Sequence, residues 1–244
     1  MTVLVGINCK DGVVIGADSS ATSAMGQYPL IEMQTKKIDI INDKIIVAGT
    51  GQVGLGQRFK SIVKNAWDQG VFKHDHVEVG RQLSQKALTD FGSTQAVKGS
   101  FGALVAFCCK KQVHLCEFPS NDFQPEFKET SRLWYVAMGS GQALAEPFLA
   151  FIRDVFWEKE IPSIQDGIFA VYWTLAHTIQ LNAGGINGPI NIATLRCINN
   201  DFQAKIFEEE ELAEHKENIS AIKSRLREYR QEIIDGKTDT EIPS

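Results

Sequence analysis

An α+β fold, with helices layered on antiparallel sheets, is predicted by the order of apolar patterns along the 244-residue chain. Strand-like segments come in pairs around short turn signals, and helical stripes come two at a time. The regular strand–helix–strand alternation of a parallel sheet does not recur.

Residues 3–9 and 13–17 are apolar and β-branched around Lys10-Asp11-Gly12, a hairpin signal. A loop through Pro29 leads to a second strand pair, 37–41 and 44–48, around Asn42-Asp43. The first helix is predicted over 54–67, with Leu55, Phe59, Ile62 and Trp67 on one stripe, and a second over 77–91. Strands return at 101–109 and 112–117 around Lys110-Lys111, then at 133–138. A helix follows over 144–157. The next starts from Ser163, an N-cap with Asp166 three residues on, and runs to 181. Strands 189–198 and 202–207 close the globular part.

From Glu208 the pattern changes. Ile219, Ile222, Leu226, Tyr229 and Ile233 recur at alternating spacings of three and four, so one helix face is a narrow apolar seam. The acidic run 208–211 and the later Arg225, Arg227 and Arg230 match the polarity of a helix dipole. The seam is short for a coiled coil and reads as a helix docked on its own subunit or a neighbour. The expected organisation is a domain over 2–207, a helical extension over 208–235 and a disordered tail over 236–244.

A net charge of −5 argues against a nucleic-acid binder, which usually carries a basic face. Apolar runs such as 101–109 are too short to span a bilayer. No charged-then-apolar leader opens the sequence, which gives the expectation of a cytoplasmic protein. Five cysteines without CxxC spacing read as free thiols, not as a disulfide or zinc framework. His74-Asp75-His76 reads as surface histidines, and His114 and His177 as core histidines. No metal or organic cofactor is expected.

The chemistry centres on Thr2. Initiator methionine is normally removed ahead of a small residue, which would place a threonine hydroxyl beside its own α-amine. Such an amine titrates near neutrality and can take part in proton transfer. With a three-residue hairpin loop and Gly12 in the left-handed region, Leu4 would pair with Asp18. Thr2 and Asp18 would then share a face, about 7 Å apart. A two-residue turn would put Asp18 on the opposite face. Lys37 opens the next strand pair and could reach between them; an amine held by a carboxylate can accept a hydroxyl proton.

The run Thr2-Val3-Leu4-Val5-Gly6-Ile7, then residues 10–19 from Lys10-Asp11-Gly12 to Ala17-Asp18-Ser19, resembles the opening of proteasome β-type subunits. Ala21-Thr22, Lys36-Lys37-Ile38 and Val47-Ala48-Gly49 continue the likeness, as does Met138-Gly139-Ser140-Gly141. The resemblance implies a four-layer αββα sandwich of the N-terminal-nucleophile type, assembled into stacked homo-oligomeric rings. It further implies a threonine-type endopeptidase acting on peptides or unfolded polypeptides through an acyl-threonine ester, with an ATPase activator conceivable. In that reading Thr2 is the nucleophile, Lys37 eases its deprotonation, and Asp18 orients Lys37. Ser140 hydrogen-bonds near the threonine amine, and the Gly49 N–H is the oxyanion donor. Ala21 and Thr22 would pair with an extended substrate, and Thr35 and Val47 would line a medium, apolar side-chain pocket.

The sequence departs from the family pattern at three places. The 18–37 loop is about three residues longer, the C-terminal helix is added, and Gln180 and Ala183 stand where an aspartate and a serine are usual. These point to a divergent bacterial homologue and leave two alternatives. One is an inactive or weakly active ring subunit. The other takes Gly49-Thr50-Gly51-Gln52-Val53-Gly54 as a dinucleotide-binding loop of an oxidoreductase.

Overall fold

The structure, a computed structural model, describes residues 1–25, 28–96, 99–129, 133–158, 160–182, 184–198 and 201–236, with the side chains of 22–32 outside that description. The expected tail after Gly236 therefore lies outside the described residues. The chain opens with β1 (Leu4–Cys9) and β2 (Gly12–Ala17), followed by β3 (Ser20–Met25), β4 (Tyr28–Gln34), β5 (Ile38–Ile41) and β6 (Ile45–Gly51). Helices α1 (Val53–Asp68) and α2 (His76–Ser93) come next, then β7 (Phe101–Cys109), β8 (Gln112–Phe118), β9 (Glu126–Lys128) and β10 (Tyr135–Met138). Helices α3 (Gln142–Phe156) and α4 (Ile164–Leu181), strands β11 (Asn191–Ile198) and β12 (Asp201–Ile206), and helix α5 (Ala213–Ile234) complete it.

Among the described residues every strand pairing is antiparallel. One sheet runs β10-β1-β2-β11-β12, the other β5-β6-β7-β8-β9. The turn dipeptides that signalled hairpins adopt the conformations their positions demand. Asn42 and Asp43 have φ of 51° and 55°, and Lys110 and Lys111 have φ of 46° and 65°. Two consecutive left-handed residues match the twist of the flanking strands.

Three apolar clusters divide the molecule. Val3, just before β1, and Val5 and Ile7 within it pack with Leu149, Ile152, Ile168 and Val171 of α3 and α4. Val47, Val105 and Phe107 of the second sheet pack with Phe59 and Val63 of α1 and Leu83 and Ala87 of α2. Between the sheets, Leu4 and Ile15 meet Ile46, Leu104 and Leu115. Alternate residues of β1 thus serve two different cores, as the period of a strand requires. Helix α5 lies against α4. Its seam begins buried at Ile219 and partly buried at Ile222, then runs exposed through Leu226, Tyr229 and Ile233. Among the described residues no helix is long and apolar enough to cross a membrane.

The structure departs from the expectations in four respects. Residues 20–34, taken as a loop, form the β3–β4 hairpin, a separate two-stranded sheet. Small polar residues and Pro29 hide the strand signal there, and Pro29 pairs with Ala24 beside an irregularity in the ladder. The three-residue β9 is too short to leave a sequence pattern. In the first hairpin Cys9 pairs with Gly12 and Leu4 with Ala17, so the loop has two residues, not three. Finally, Gly49, Thr50 and Gly51 belong to β6, an antiparallel strand, and α1 leads to α2. A dinucleotide loop requires a parallel βαβ crossover, so that alternative does not fit.

The start of α4 ties the helical layer to the first hairpin. Ser163 Oγ accepts from Asp166 N at 3.3 Å, Asp166 Oδ2 accepts from Ser163 N at 3.1 Å, and Asp11 Oδ1 accepts from Ile164 N at 2.8 Å. Ser163→Ala is expected to lower stability by about 1 kcal/mol, a fall of roughly 2–4 °C in thermal midpoint for a chain of this size. An unchanged midpoint by circular dichroism would assign the helix start to Asp11 alone.

Candidate active site

The site forms where β1 begins and β2 ends. Asp18 follows β2 directly and is fully buried. By strand alternation it would lie opposite Val3 and turn away from Thr2. Asp18 N still donates to Val3 O at 3.3 Å, but the return bond from Val3 N goes to the Asp18 carboxylate and not to its carbonyl, which draws the side chain to the start of β1. There Asp18 Oδ1 accepts from Val3 N at 2.9 Å and from Lys37 Nζ at 2.7 Å, while Oδ2 accepts from Ser20 N at 3.1 Å. Proximity to Thr2 therefore arises from strand termination, not from the three-residue loop expected.

Lys37 is fixed at both ends. Its carbonyl accepts from Gly49 N at 3.2 Å, extending the β5–β6 ladder by one bond, and Thr35 N donates to Ser19 O at 2.8 Å just before it. Its side chain is only 7% exposed, against 0% for Asp18. A buried ion pair is tolerable only when the remaining polar capacity is used, and the two backbone donors to Asp18 supply that.

Thr2 is held by the turn between β10 and α3. Its N donates to Ser140 Oγ at 3.0 Å, and its carbonyl accepts from Gly141 N at 3.1 Å. Gly139 has φ of 89°, and a Cβ there would stand 2.4 Å from the Thr2 carbonyl oxygen, so only glycine lets this turn close on β1. The Thr2 hydroxyl donates to Met1 O at 2.8 Å, and Lys37 Nζ donates to the same oxygen at 3.2 Å. Threonine hydroxyl and lysine amine thus converge on one carbonyl.

These groups face a cleft of about 530 Å³ lined by Thr2, Lys37, Ser140, Ala21, Thr35, Val47 and Gly49. Thr22 lies in β3, its side chain outside the description. The expected role of Gly49 is corrected: its N–H is engaged by Lys37 O, because β6 runs three residues further than the 44–48 segment predicted. Gly51, two residues further along β6, also lines the cleft. Gly51 has φ of 104°, and a Cβ there would meet Ser100 O at 2.1 Å. The signal that could have found it is the same Gly-Thr-Gly string that suggested a dinucleotide loop.

Asp39 and Lys60, a 2.6 Å ion pair between β5 and α1, also line the cleft and were not anticipated. They make one wall polar where Thr35 and Val47 suggested an apolar pocket. At the end of α4, Gln180 is exposed and Asn182 Nδ2 donates to Gly184 O, while Ala183 lies outside the described residues.

Fold and site together define a class: an α+β protein of two antiparallel sheets, with helices packed on each, carrying a threonine beside a buried lysine–aspartate pair at one sheet end. The chain belongs to the proteasome subunit family, whose match covers residues 2–151. It is 38% identical over 92 residues to proteasome subunit beta 1 of Thermococcus onnurineus, a stretch covering 38% of this chain and 41% of that protein. Over 106 residues it is 36% identical to proteasome subunit beta 1 of Thermococcus kodakarensis, covering 43% of this chain and 48% of that one. The likeness is to the β type, and the matched stretch spans less than half the length of either relative.

Asp18→Asn removes the charge that compensates Lys37 and is expected to reduce unfolding free energy by about 3 kcal/mol. Asp39→Asn, in a half-exposed pair, should cost less than about 1 kcal/mol. Urea denaturation of the two variants checks this, and equal losses would show that the buried pair has no special structural weight.

Proposed function

We propose that this chain is a threonine-type endopeptidase subunit of a self-compartmentalising ring protease. The observation that carries the reading is the meeting of Thr2, its own backbone nitrogen and Lys37 in one cleft, with buried Asp18 paired to Lys37 behind it. Cleavage of the bond before Thr2 frees its α-amine, and Lys37, oriented by Asp18, eases removal of the hydroxyl proton. Thr2 Oγ1 then attacks the substrate carbonyl carbon. The peptide C–N bond breaks as the leaving amine takes up a proton, and an acyl-threonine ester remains. Water adds to the ester, the acid product leaves, and the hydroxyl is restored. Ser140, partner of the threonine nitrogen, positions the amine for proton transfer. The oxyanion donor in this reading is the Gly51 N–H, replacing Gly49; such a donor contributes a few kcal/mol in acyl transfer.

The substrate would lie extended beside Ala21 and Thr22 and form main-chain hydrogen bonds there. With Thr35 and Val47 on one wall and Asp39–Lys60 on another, the side-chain pocket suits a medium residue that is apolar or polar. The wider reading is a four-layer αββα sandwich of the N-terminal-nucleophile type over 2–207, with a helical extension over 208–235. Such subunits would form stacked homo-oligomeric rings in the cytoplasm, acting on unfolded polypeptides without a metal or organic cofactor in the reaction. Exposed Gln180 at the end of α4 favours a second reading, a ring subunit of weak or no activity, because it supplies no carboxylate where the family usually has one.

Intact mass of the purified protein, before and after a threonine-directed peptide epoxyketone, separates the two. Loss of methionine and a single adduct, both at Thr2, are expected. Thr2→Ala should abolish the adduct and lower peptide turnover by about a thousandfold or more, with assembly size unchanged. A free Thr2 that never reacts, or full turnover in Thr2→Ala, would overturn the peptidase reading.

A further inference from the structure

At the other end of β1 from Thr2, roughly 20 Å along the strand, three metal-ligating side chains meet. His76 is the first residue of α2, Cys109 the last of β7 and His114 the third of β8. The β7–β8 hairpin pairs Cys109 with Gln112 and Phe107 with His114, so Cys109 and His114 share the face that α2 covers. One nitrogen or sulfur of each residue lies within 4.8 Å of the other two. The two imidazoles are stacked, 4.4 Å between centroids and 8° from parallel, with Phe127 edge-on to His76 at 4.8 Å.

We propose that His76, Cys109 and His114 form a binding site for a divalent cation of the zinc type.

The donor set selects that class. One sulfur and two imidazole nitrogens suit zinc, whereas calcium and magnesium require oxygen ligands. In a tetrahedral site the ligand atoms stand about 3.5 Å apart, so closing on an ion needs a contraction of about 1 Å and a ring rotation that opens the present stack, letting both in-plane lone pairs point at the ion. Asp75 Oδ1 lies 3.6 Å from His76 Nδ1, near enough for a small shift to give the carboxylate–histidine–zinc relationship.

As the sulfur–metal bond forms, the Cys109 thiol proton passes to solvent. The charged neighbours are Asp75, at the edge of the cluster, and Lys110, 3.3 Å from Asp75. A cleft of about 600 Å³ reaches both histidines, giving the ion an entry path and its fourth position a water. The bound ion would clip the start of α2 to the β7–β8 hairpin.

Full-length reduced protein, stripped with a chelator and titrated calorimetrically with zinc chloride, tests the site. One ion per chain is expected, with binding at least about tenfold weaker in each of His76→Gln, Cys109→Ser and His114→Gln. Cobalt(II) should give a thiolate charge-transfer absorption that Cys109→Ser removes. Cys108→Ser and Cys197→Ser, whose thiols lie outside the cluster, should leave both signals intact. His76→Gln, at a partly exposed helix start, keeps the test valid if a buried variant fails to fold. Absence of stoichiometric binding by the folded protein overturns the proposal. So does binding that survives both Cys109→Ser and His76→Gln, or that is lost with Cys197→Ser.

Discussion

The buried Asp18–Lys37 pair is the constraint around which the Thr2 end of the molecule is arranged. Removing two charges from water costs several kcal/mol per ion, and their attraction offsets this only when geometry and hydrogen bonding are complete. Completion is visible in the backbone. Val3 and Ser20 turn their N–H groups to the carboxylate, and Gly49 fixes the lysine main chain. Because Val3 is one of the donors, the residue before it is held beside the pair. The placement of Thr2 is thus a consequence of satisfying Asp18.

This explains what could be read in the sequence and what could not. Paired left-handed residues at Asn42-Asp43 and Lys110-Lys111, the Ser163–Asp166 box and the apolar stripes of the helices are local signals, and local physics placed them. The motif around Thr2, Asp18, Lys37 and Ser140 was legible by family likeness, and the structure brings those four together. The route to that meeting was not legible. A one-residue difference in the first turn reverses every face assignment, and the end of β2 at Ala17 overrides alternation altogether. The β3–β4 hairpin escaped because β3 is made of small, mostly polar residues and Pro29 interrupts the start of β4. The Gly49 assignment failed because strand length, and hence which N–H is used by the ladder, depends on the facing strand.

The same reasoning accounts for the invisibility of the histidine–cysteine cluster. His76 and Cys109 are far apart in sequence and belong to different layers, so no spacing rule joins them. Only the packing of α2 over the β7–β8 hairpin does. The antiparallel scaffold therefore gathers ionisable side chains at both ends of β1, with the core between the sheets separating them.

Met1 shows how little would change in passing from this chain to the active form proposed. Its carbonyl draws hydrogen bonds from both Thr2 Oγ1 and Lys37 Nζ. Other contacts of Lys37 and of the Thr2 backbone do not involve Met1. Lys37 is held by Asp18 and by Gly49, and the Thr2 nitrogen by Ser140. Cleavage before Thr2 would remove the acceptor and leave the donors in place, aimed at a space where a substrate carbonyl can lie. Polar groups fixed before the reaction need no reorganisation during it, which is the source of their catalytic effect. The buried pair that constrains the fold is, on this reading, also what keeps the site ready.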